Sequence, residues 1–442
     1  MKPIQVGLLG IGTVGGGTFE VLRRNQEEIR RRAGRGIEIT AVADLDVERA
    51  RRLVGDAARV TADARAVIAN PDIDIVVELI GGTGIARTLV MEAIRQGKHV
   101  VTANKALLAV HGTEIFDAAS ARGVMVAFEG AVAGGIPIIK ALREGLTANR
   151  IEWIAGIVNG TTNFILSEMR DRKLDFASAL REAQALGYAE ADPTFDIEGI
   201  DAAHKTTIMS AIAFGIPVQF ERAYIEGITT LQPADIAYAE QLGYRIKLLG
   251  ITKRRDDLQP AGIELRVHPT LIPATRLLAN VEGAMNAVVV QGDAVGTTLY
   301  YGKGAGAEPT ASAVVADLVD VTRLHTADPD HRVPHLAFQP DALAATPILP
   351  IEAVVTSFYL RLTVADETGV MASIAGILAR HGISIDALLQ RPNLEAVEEK
   401  QTDVIILTHD VVEGRMNEAI AELQALPTVL APIRRIRKEA LK

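Results

Sequence analysis

A glycine-rich turn directly after the first apolar run constrains the fold of this chain more than any other feature. Gly10, Gly12 and Gly15 form the pattern G-x-G-x-x-G between the run Ile4–Leu9 and a helical pattern. Such glycines permit a tight turn and a close approach of the backbone to a pyrophosphate, while the helix N-terminus offers free N–H groups. Because a strand pattern precedes the motif and a helical pattern follows it, the sequence predicts a dinucleotide-binding site rather than an ordinary turn.

The same predicted site includes the first helical residues, Thr13 and Val14, and an acidic residue, Asp44, at the end of the second apolar run. A carboxylate at that position suits the ribose hydroxyls of NAD. Three arginines follow it, at positions 49, 51 and 52, and they could instead neutralise the 2′-phosphate of NADP or form a solvated helix face. The sequence therefore leaves NAD and NADP both open.

Apolar runs and helical patterns alternate over the first third of the chain. The runs lie at residues 4–9, 37–43, 73–80, 99–103 and 124–129, and helical patterns lie between them, for example at 14–32 and 83–96. Runs without polar alternation are typical of parallel strands that are buried on both faces. We therefore predict an α/β fold in which residues 1–135 form a Rossmann-type nucleotide-binding domain.

The rest of the chain divides into three segments. Residues 136–325 mix helical patterns (165–187, 200–214 and 233–246) with strand patterns (247–252, 262–269 and 287–293), which predicts an α+β domain. The proline-rich residues 326–353 are predicted to be a linker. Residues 354–438 show a strand, a helix, two strands, a helix and a last strand at 430–435, which predicts a βαββαβ ferredoxin-like module.

Composition excludes several classes of function. The chain has no cysteine, so disulfides, thiolate-bound metals and thiol catalysis are excluded. Its 55 acidic and 46 basic residues argue against broad binding of nucleic acid or an anionic membrane. The first apolar run is too short and glycine-rich for a secretory signal, and no apolar stretch reaches the roughly 18 residues of a membrane span. We therefore expect a cytoplasmic protein.

Five carboxylates and one lysine concentrate between residues 185 and 205. They are Glu190, Asp192, Asp196, Glu198, Asp201 and Lys205. Asp201 and Lys205 are four residues apart, so on a helix they share one face, although an ordinary surface helix can carry the same pair. A lysine can donate a proton to an oxygen that becomes an alcohol, if burial brings its pKa toward neutrality. The surplus carboxylates suit a cationic group on the substrate, such as an α-ammonium.

A second lysine, Lys105, follows the apolar run at 99–103. The carboxyl ends of parallel strands line the crevice in which ligands bind. Lys105 is therefore a candidate for contact with the substrate, and a solvated lysine at a helix start is the alternative.

The segment that holds the carboxylates resembles the signature of the homoserine dehydrogenase family. The matching positions are Ala183, Gly187, Tyr188, Ala189, Asp192, Pro193, Asp196, Ile197, Gly199, Asp201 and Lys205. The segments TANKALLA, FEGAVAGGIPII, GIVNGTTNFIL and YYGKGAGAEPTASAVVADL also resemble family segments, so the similarity covers residues 4–325. The resemblance implies an enzyme of threonine and methionine biosynthesis that interconverts L-homoserine and L-aspartate 4-semialdehyde with NAD or NADP.

The resemblance also implies roles for single residues. Lys205 would be the proton donor and acceptor, Lys105 would assist it, and Asp201, Glu190 and Asp196 would bind the substrate. The residues near the cofactor would include Lys105, Gly187, Glu190, Gly302 and Gly304, so that residues 299–325 pack back on the nucleotide-binding domain. A monovalent cation such as Na⁺ would be bound by main-chain carbonyls at Glu129, Val132, Gly134 and Ile136.

The C-terminal module resembles an ACT domain through the sequence DETGVMASIAGILARHGISI. Such modules bind small amino acids at paired interfaces, which implies threonine as the effector and a homodimer or homotetramer whose α+β domain is both catalytic and dimerising. A module that only mediates dimerisation is the alternative. RNA binding, which the same topology also serves, is disfavoured because the module has more acidic than basic side chains and few aromatic residues on its strands.

Two rival functions are compatible with part of the sequence. A non-catalytic protein that senses an amino acid and a dinucleotide would bind both without turnover, but it has no need of a proton donor. The dehydrogenase that makes aspartate semialdehyde from its acyl phosphate uses a thiol nucleophile, which this chain lacks.

Overall fold

The computed structural model describes residues 2–392 and 401–441, and its N-terminal part is a parallel sheet. The strands are β1 (Ile4–Leu9), β2 (Ile37–Ala43), β3 (Arg59–Thr61), β4 (Ile75–Glu78), β5 (His99–Thr102) and β6 (Val126–Ala127). They lie in the order β3-β2-β1-β4-β5-β6. The order reverses between β1 and β4, where dinucleotides bind in sheets of this type. The predicted Rossmann-type fold is confirmed.

Short helices connect these strands. They are α1 (Thr13–Arg24), α2 (Gln26–Ala33), α3 (Val47–Val54), α4 (Ala64–Ala69), α5 (Gly84–Arg95) and α6 (Lys105–Arg122). The prediction of one helix over 14–32 is wrong, because Asn25 adopts a non-helical backbone (φ −105°, ψ 17°) and separates α1 from α2. Strand β3 and helices α3 and α4 were not predicted from the sequence, although the side chains of Asp46 and Asp63 cap the two helices.

The middle of the chain adds a second sheet. Its strands are β7 (Ile151–Ile157), β8 (Tyr224–Ile225), β9 (Tyr244–Arg255), β10 (Gly262–Pro273), β11 (Met285–Gly292) and β12 (Gly296–Lys303). The helices of this region are α7 (Ile138–Lys140), α8 (Gly160–Asp171), α9 (Phe176–Ala185), α10 (Thr194–Ile197), α11 (Ile200–Phe214), α12 (Pro233–Gln241) and α13 (Ala307–Leu324). Two predicted helices were too long: the chain turns at Lys173 (φ 53°) between α8 and α9, and at Gly243 (φ 82°) between α12 and β9.

Helix α13 brings the chain back to the nucleotide-binding domain. A Cβ placed on Gly17 of α1 would lie 2.6 Å from the carbonyl oxygen of Ala307, so the two helices touch through their backbones. Ala311, Val314 and Leu318 of α13 belong to the same hydrophobic core as strand β1. The first turn of α13 therefore lies beside the helix that follows the glycine motif.

The segment after α13 runs along the nucleotide-binding domain. The backbone N–H of Val126 donates to Nε2 of His335 at 3.1 Å, and Arg332 donates to the carbonyls of Gly123 and Ala327. Burial lowers the pKa of His335 to about 4, so this histidine is neutral at physiological pH. These contacts hold the proline-rich segment against the domain.

The C-terminal part forms the predicted βαββαβ module. Its elements are β13 (Val355–Ala365), α14 (Val370–Arg380), β14 (Ile385–Pro392), β15 (Gln401–Thr408), β16 (Val411–Val412), α15 (Glu413–Gln424) and β17 (Arg434–Lys438). The prediction of the last strand at 430–435 is wrong, because the strand begins after Pro432 and uses the polar run RRIRK. In the described residues, no helix has the length and apolar character needed to cross a membrane.

Strand β17 joins this module to the middle domain. It pairs antiparallel with β13 and parallel with β10, so a single sheet runs in the order β12-β11-β7-β9-β10-β17-β13-β15-β14. The fully buried guanidinium of Arg437 donates to Glu413 of α15 and to Glu226, the residue after β8, both at 2.8 Å. The C-terminal module is therefore packed on the middle domain through a shared sheet and buried ion pairs.

Candidate active site

Helix α11 places Asp201 and Lys205 at the centre of a buried polar site. The helix starts at Gly199, whose left-handed backbone (φ 82°) turns the chain, and its residues 201–214 are all buried. The Nζ atom of Lys205 donates to Oδ2 of Asp201 at 2.7 Å and to the carbonyl oxygen of Val158, after β7, at 2.7 Å. The predicted sharing of one helix face therefore occurs as a direct ion pair.

Lys105 binds the other oxygen of the same carboxylate. It is the first residue of α6, and its Nζ atom lies 3.0 Å from Oδ1 of Asp201. The side chain of Lys105 is 34% exposed, whereas that of Lys205 is 9% exposed. Asp201 thus bridges two ammonium groups, of which one is buried and the other faces the opening of the site.

Asn159 completes this cluster, and the sequence analysis did not identify it. Its Nδ2 atom donates to Asp196 at 2.6 Å and to Asp201 at 2.8 Å. Its Oδ1 atom accepts the backbone N–H of Thr162 at 2.8 Å, so the same side chain caps the start of α8. Two signals in the sequence could have indicated it: an asparagine just before a helical pattern is an N-cap signal, and Asn159 lies in the family-like segment GIVNGTTNFIL.

The pKa values of the two lysines are shifted in opposite directions by their surroundings. Burial lowers the pKa of Lys205, and although Asp201 raises it, the pKa remains below the ordinary value. Burial also acts to lower the pKa of Lys105, but Asp201, Asp196 and Glu190 outweigh burial and raise it. Burial acts to raise the pKa of Asp201, but the two lysines hold it below the ordinary value. Lys205 is therefore the lysine that can exchange a proton nearer to neutral pH.

The cluster of five carboxylates predicted from the sequence is smaller in the structure. Asp196 and Asp201 join the lysine network, and exposed Glu190 contributes its negative charge next to Lys105. Asp192 instead accepts the backbone N–H of Thr194 at 3.1 Å at the start of α10, away from the lysines. Glu198 packs against Gly227, where an added Cβ would lie 2.8 Å from its Oε2 atom. Asp192 and Glu198 therefore make contacts other than those of the three carboxylates near the lysines.

His204, the residue before Lys205, packs between aromatic rings. Its ring centroid lies 5.3 Å from that of Phe195 and 4.3 Å from that of Phe220. Burial lowers the pKa of His204 to about 4. The side chain is therefore neutral, and it forms one wall of the site without entering the lysine network.

The glycine motif lines a crevice of about 430 Å³ at the carboxyl edge of the parallel sheet. The residues around it are Gly10, Gly12, Ala43, Asp44, Leu45, Ala62, Asp63, Ala64, Arg65, Leu79, Ile80, Ile85 and Leu89. Asp44 accepts the backbone N–H groups of Ile11 at 2.7 Å and Asp46 at 2.9 Å, so it fixes the glycine turn. Among the described residues, no side chain caps helix α1 at its start, Thr13 and Val14. The backbone N–H groups of this first turn can therefore bind a phosphate.

The arginine that reaches the crevice differs from those considered in the sequence. Arg65, at the start of α4, lines the crevice, whereas Arg51 is exposed and pairs with Glu48 at 2.8 Å. Arg49 and Arg52 are likewise exposed. These three residues form a solvated helix face, and Arg65 lines the crevice together with Asp44.

Several contacts connect the crevice to the lysine site. Asn104, which caps α6 just before Lys105, donates to the carbonyl of Gly82 at 2.7 Å, at the turn that follows β4. Gly302 and Gly304 lie at and just beyond the end of β12, beside Ile136 and Gly134. Gly187 lies farther out, in an exposed turn after α9.

The loop predicted to hold a monovalent cation has two consecutive left-handed residues, Ala133 (φ 54°) and Gly134 (φ 40°). The Glu129 carboxylate is buried and accepts the backbone N–H groups of Ile139 and Lys140. Among the described residues, no hydrogen bond reaches the carbonyl oxygen of Val132 or of Gly134. Two of the four predicted carbonyls are therefore free, which fits a cation held by main-chain oxygens.

The chain matches three family models. Residues 10–129 match "Homoserine dehydrogenase, NAD binding domain", residues 137–319 match "Homoserine dehydrogenase", and residues 358–428 match "ACT domain". Two curated relatives, the homoserine dehydrogenases of Pseudomonas aeruginosa and Neisseria gonorrhoeae, are 61% and 59% identical, each match covering 100% of both chains.

Solved structures agree with these matches. A homoserine dehydrogenase from Thiobacillus denitrificans superposes with a TM-score of 0.94 at 66% identity, covering 100% of this chain and 99% of the other. The enzyme from S. aureus gives a TM-score of 0.76 at 32% identity, covering 99% of each chain. A hyperthermophilic archaeal homoserine dehydrogenase in complex with NADPH gives 0.62 at 26% identity, covering 74% of this chain and 99% of the other.

Proposed function

The chain belongs to the homoserine dehydrogenase family, and on that premise we propose that Lys205 is the group that exchanges the substrate proton. The enzyme interconverts L-homoserine and L-aspartate 4-semialdehyde with NAD(P), a step of threonine and methionine biosynthesis. The hydrogen bonds of the buried Lys205 to Asp201 and Val158 carry the proposal. The rival reading, a sensor without catalysis, has no observation in its favour.

Proton transfer would follow the charge state of Lys205. In the oxidative direction its neutral amine accepts the proton of the substrate hydroxyl, and in the reductive direction its ammonium returns that proton to the aldehyde oxygen. NAD(P), when bound in the crevice, would accept or donate the hydride at the substrate carbon that bears this oxygen. Burial supports this role because it makes the neutral amine accessible at a lower pH than for a free lysine.

The other charged groups would bind and orient the substrate. Lys105 retains its proton and can stabilise negative charge on the substrate oxygen. Asp201, Asp196 and Glu190 supply carboxylates for the α-ammonium of homoserine. Asp201 would also fix the positions of both lysine side chains, since each of its oxygens binds one of them.

The cofactor would span the crevice between the glycine motif and the loop after β12. We propose that Gly10, Gly12 and Gly15 and the start of α1 hold the pyrophosphate. Asp44 and Arg65 line the crevice at its ribose end, and the balance between carboxylate and guanidinium would decide between NAD and NADP. Gly187, Gly302 and Gly304 would lie near the other end of the cofactor.

Two further ligands belong to the proposal. Free carbonyls in the loop of residues 129–136 support a monovalent cation such as Na⁺, which would supply positive charge that fixes this loop beside the cofactor. The ACT domain supports a small amino-acid effector, and threonine is the end product that would regulate this step. Paired ACT domains would require a homodimer or homotetramer. We place the protein in the cytoplasm, with the pools of its substrate and dinucleotide.

A matrix of initial rates tests the proposed function. Purified enzyme is assayed with L-homoserine and NAD⁺ or NADP⁺, and in reverse with L-aspartate 4-semialdehyde and NADH or NADPH. Each assay is run with and without Na⁺ and with and without L-threonine. We expect turnover with at least one dinucleotide and inhibition by threonine. An enzyme that is inactive with both dinucleotides in both directions would contradict the proposal.

A further inference from the structure

Asn286 is a buried amide without a hydrogen-bond partner. It is the second residue of β11 and is 1% exposed. Within the described residues, neither its Nδ2 nor its Oδ1 atom has a partner. An unpaired buried polar atom costs about 1–3 kcal/mol, so retention of two such atoms on one side chain indicates a role beyond packing.

The strand that carries this amide pairs with β7 on one edge and with β12 on the other. The neighbouring residue, Ala287, pairs with Ile157 of β7, which precedes the carbonyl of Val158 that binds Lys205. On its other side, a Cβ placed on Gly304 would lie 1.9 Å from Nδ2 of Asn286. Only glycine fits at position 304, because the amide packs directly on its α-carbon.

The loop that covers Asn286 has unused hydrogen-bonding groups of its own. Within the described residues, no backbone hydrogen bond is donated by the N–H groups of Gly304, Ala305 or Gly306. The loop leads into α13, which touches α1 beside the glycine motif through Ala307 and Gly17. A dinucleotide that reaches from the crevice to the lysine site would pass next to this loop.

We propose that Asn286 is a positioning residue that fixes the loop of residues 302–306 in the dinucleotide-bound enzyme. A carboxamide can donate to a main-chain carbonyl and accept from an N–H group, and the loop offers both. When the loop settles on the bound dinucleotide, Asn286 bonds to its main chain and the unpaired amide of the free enzyme is satisfied. The inference rests on the proposed function, because it requires a dinucleotide in the crevice.

The substitution Asn286→Leu separates this role from simple packing. Leucine has the same branched arrangement of side-chain heavy atoms and removes both unpaired polar atoms, so the melting temperature of the free enzyme should rise by a few degrees. The dissociation constant and KM for NADPH should rise about tenfold, with kcat changed much less. A residue with only a structural role would instead lower the melting temperature and leave the affinity unchanged.

Thr322→Val is the matched control. Thr322 lies near the end of α13, is 5% exposed, and its hydroxyl also lacks a partner among the described residues. Its replacement should stabilise the enzyme without any effect on NADPH binding. An NADPH affinity of Asn286→Leu within twofold of the unmodified enzyme would overturn the proposal.

Hydrogen exchange of the unmodified enzyme tests the proposed role of Asn286 if Asn286→Leu does not fold. Peptides that cover residues 299–306 are compared with and without NADPH, and we expect exchange of the loop amides to slow at least fivefold, on the order of one added hydrogen bond. Unchanged exchange in an enzyme that turns over homoserine would refute the role of Asn286 and leave the proposed function intact. Absence of turnover would refute the proposed function itself.

Discussion

Lys205 donates a 2.7 Å hydrogen bond to Asp201, one turn earlier on the same helix, and their side chains are only 9% and 4% exposed. Such a buried pair has little stabilising value by itself, because desolvation opposes the attraction between the charges. Its consequence is chemical. The carboxylate holds the amine in place while burial lowers the pKa of Lys205, and Lys105 on the other oxygen adds to that lowering.

The pH profile of homoserine oxidation should report the charge state of Lys205. Oxidation needs the neutral amine, so kcat/KM should rise with pH and level off below the ordinary lysine pKa of 10.5. Asp201 raises the pKa of Lys205, so Asp201→Asn should move the rise to lower pH by about 1–3 units, together with a loss of substrate affinity. The control, Asp192→Asn, changes a carboxylate outside the lysine network and should leave the profile in place. A shift to higher pH in Asp201→Asn would contradict the electrostatic account.

Removal of Lys105 should move the same profile in the opposite direction. The ammonium of Lys105 lowers the pKa of Lys205, so its loss in Lys105→Met should shift the rise to higher pH, by about 1 unit. Lys105→Arg keeps the charge and should retain the original profile even if kcat falls. Equal profiles for Lys105→Met and the unmodified enzyme would show that the two lysines do not interact.

Two neighbouring glycines of α1 should respond differently to alanine. A Cβ on Gly15 would lie 2.2 Å from the carbonyl oxygen of Gly10. Among the described residues outside its own helix, the nearest atom to a Cβ on Gly16 would be Cδ1 of Leu53, at 3.9 Å. Gly15→Ala should therefore displace the turn and raise the dissociation constant for NADPH by at least about tenfold. Gly16→Ala should keep the affinity and increase the free energy of unfolding by about 0.5–1 kcal/mol, because alanine favours the helix. Fluorescence titration and thermal unfolding measure both effects, and similar affinities for the two variants would argue against the turn as the cofactor site.

The buried Arg437 should matter for stability. Arg437→Met leaves the carboxylate of Glu413, which is 1% exposed, without its main counter-charge. We expect the free energy of unfolding to fall by about 3–5 kcal/mol, as for other buried pairs that lose one partner. Arg31→Met removes an exposed pair with Glu28 and should change stability by about 1 kcal/mol or less. Urea unfolding compares the two, and a small effect of Arg437→Met would mean that β17 does not anchor the C-terminal module.

Local patterns predicted the long apolar elements well. The bounds of β1, β2 and α11 match the sequence prediction because apolar runs and helical periodicity are properties of neighbouring residues. Strand β17 was misplaced because the run RRIRK is polar, and the buried partners of Arg437 come from distant segments of the chain.

In the candidate site, too, the sequence predicted local contacts but not contacts between distant parts of the chain. The spacing of Asp201 and Lys205 predicts a shared helix face, and the structure places them in contact. The second lysine of the cluster is 96 residues away from Asp201 in sequence and Asn159 is 42 residues away, so no local pattern could join them to it. Likewise, the unpaired amide of Asn286 depends on the glycine loop that covers it.

Chemical rescue of Lys205→Ala tests the central claim most directly. The substitution should lower kcat about 10²–10⁴-fold, the range for loss of a general acid or base. The enzyme should stay folded and bind NADPH, because Lys105 still pairs with Asp201. Added primary amines of small size should then restore part of the activity, with rates that increase with the basicity of the amine in the oxidative direction. A Lys205→Ala enzyme that keeps more than about one-tenth of kcat, or a loss of activity that no amine restores, would contradict the assignment of the proton to Lys205.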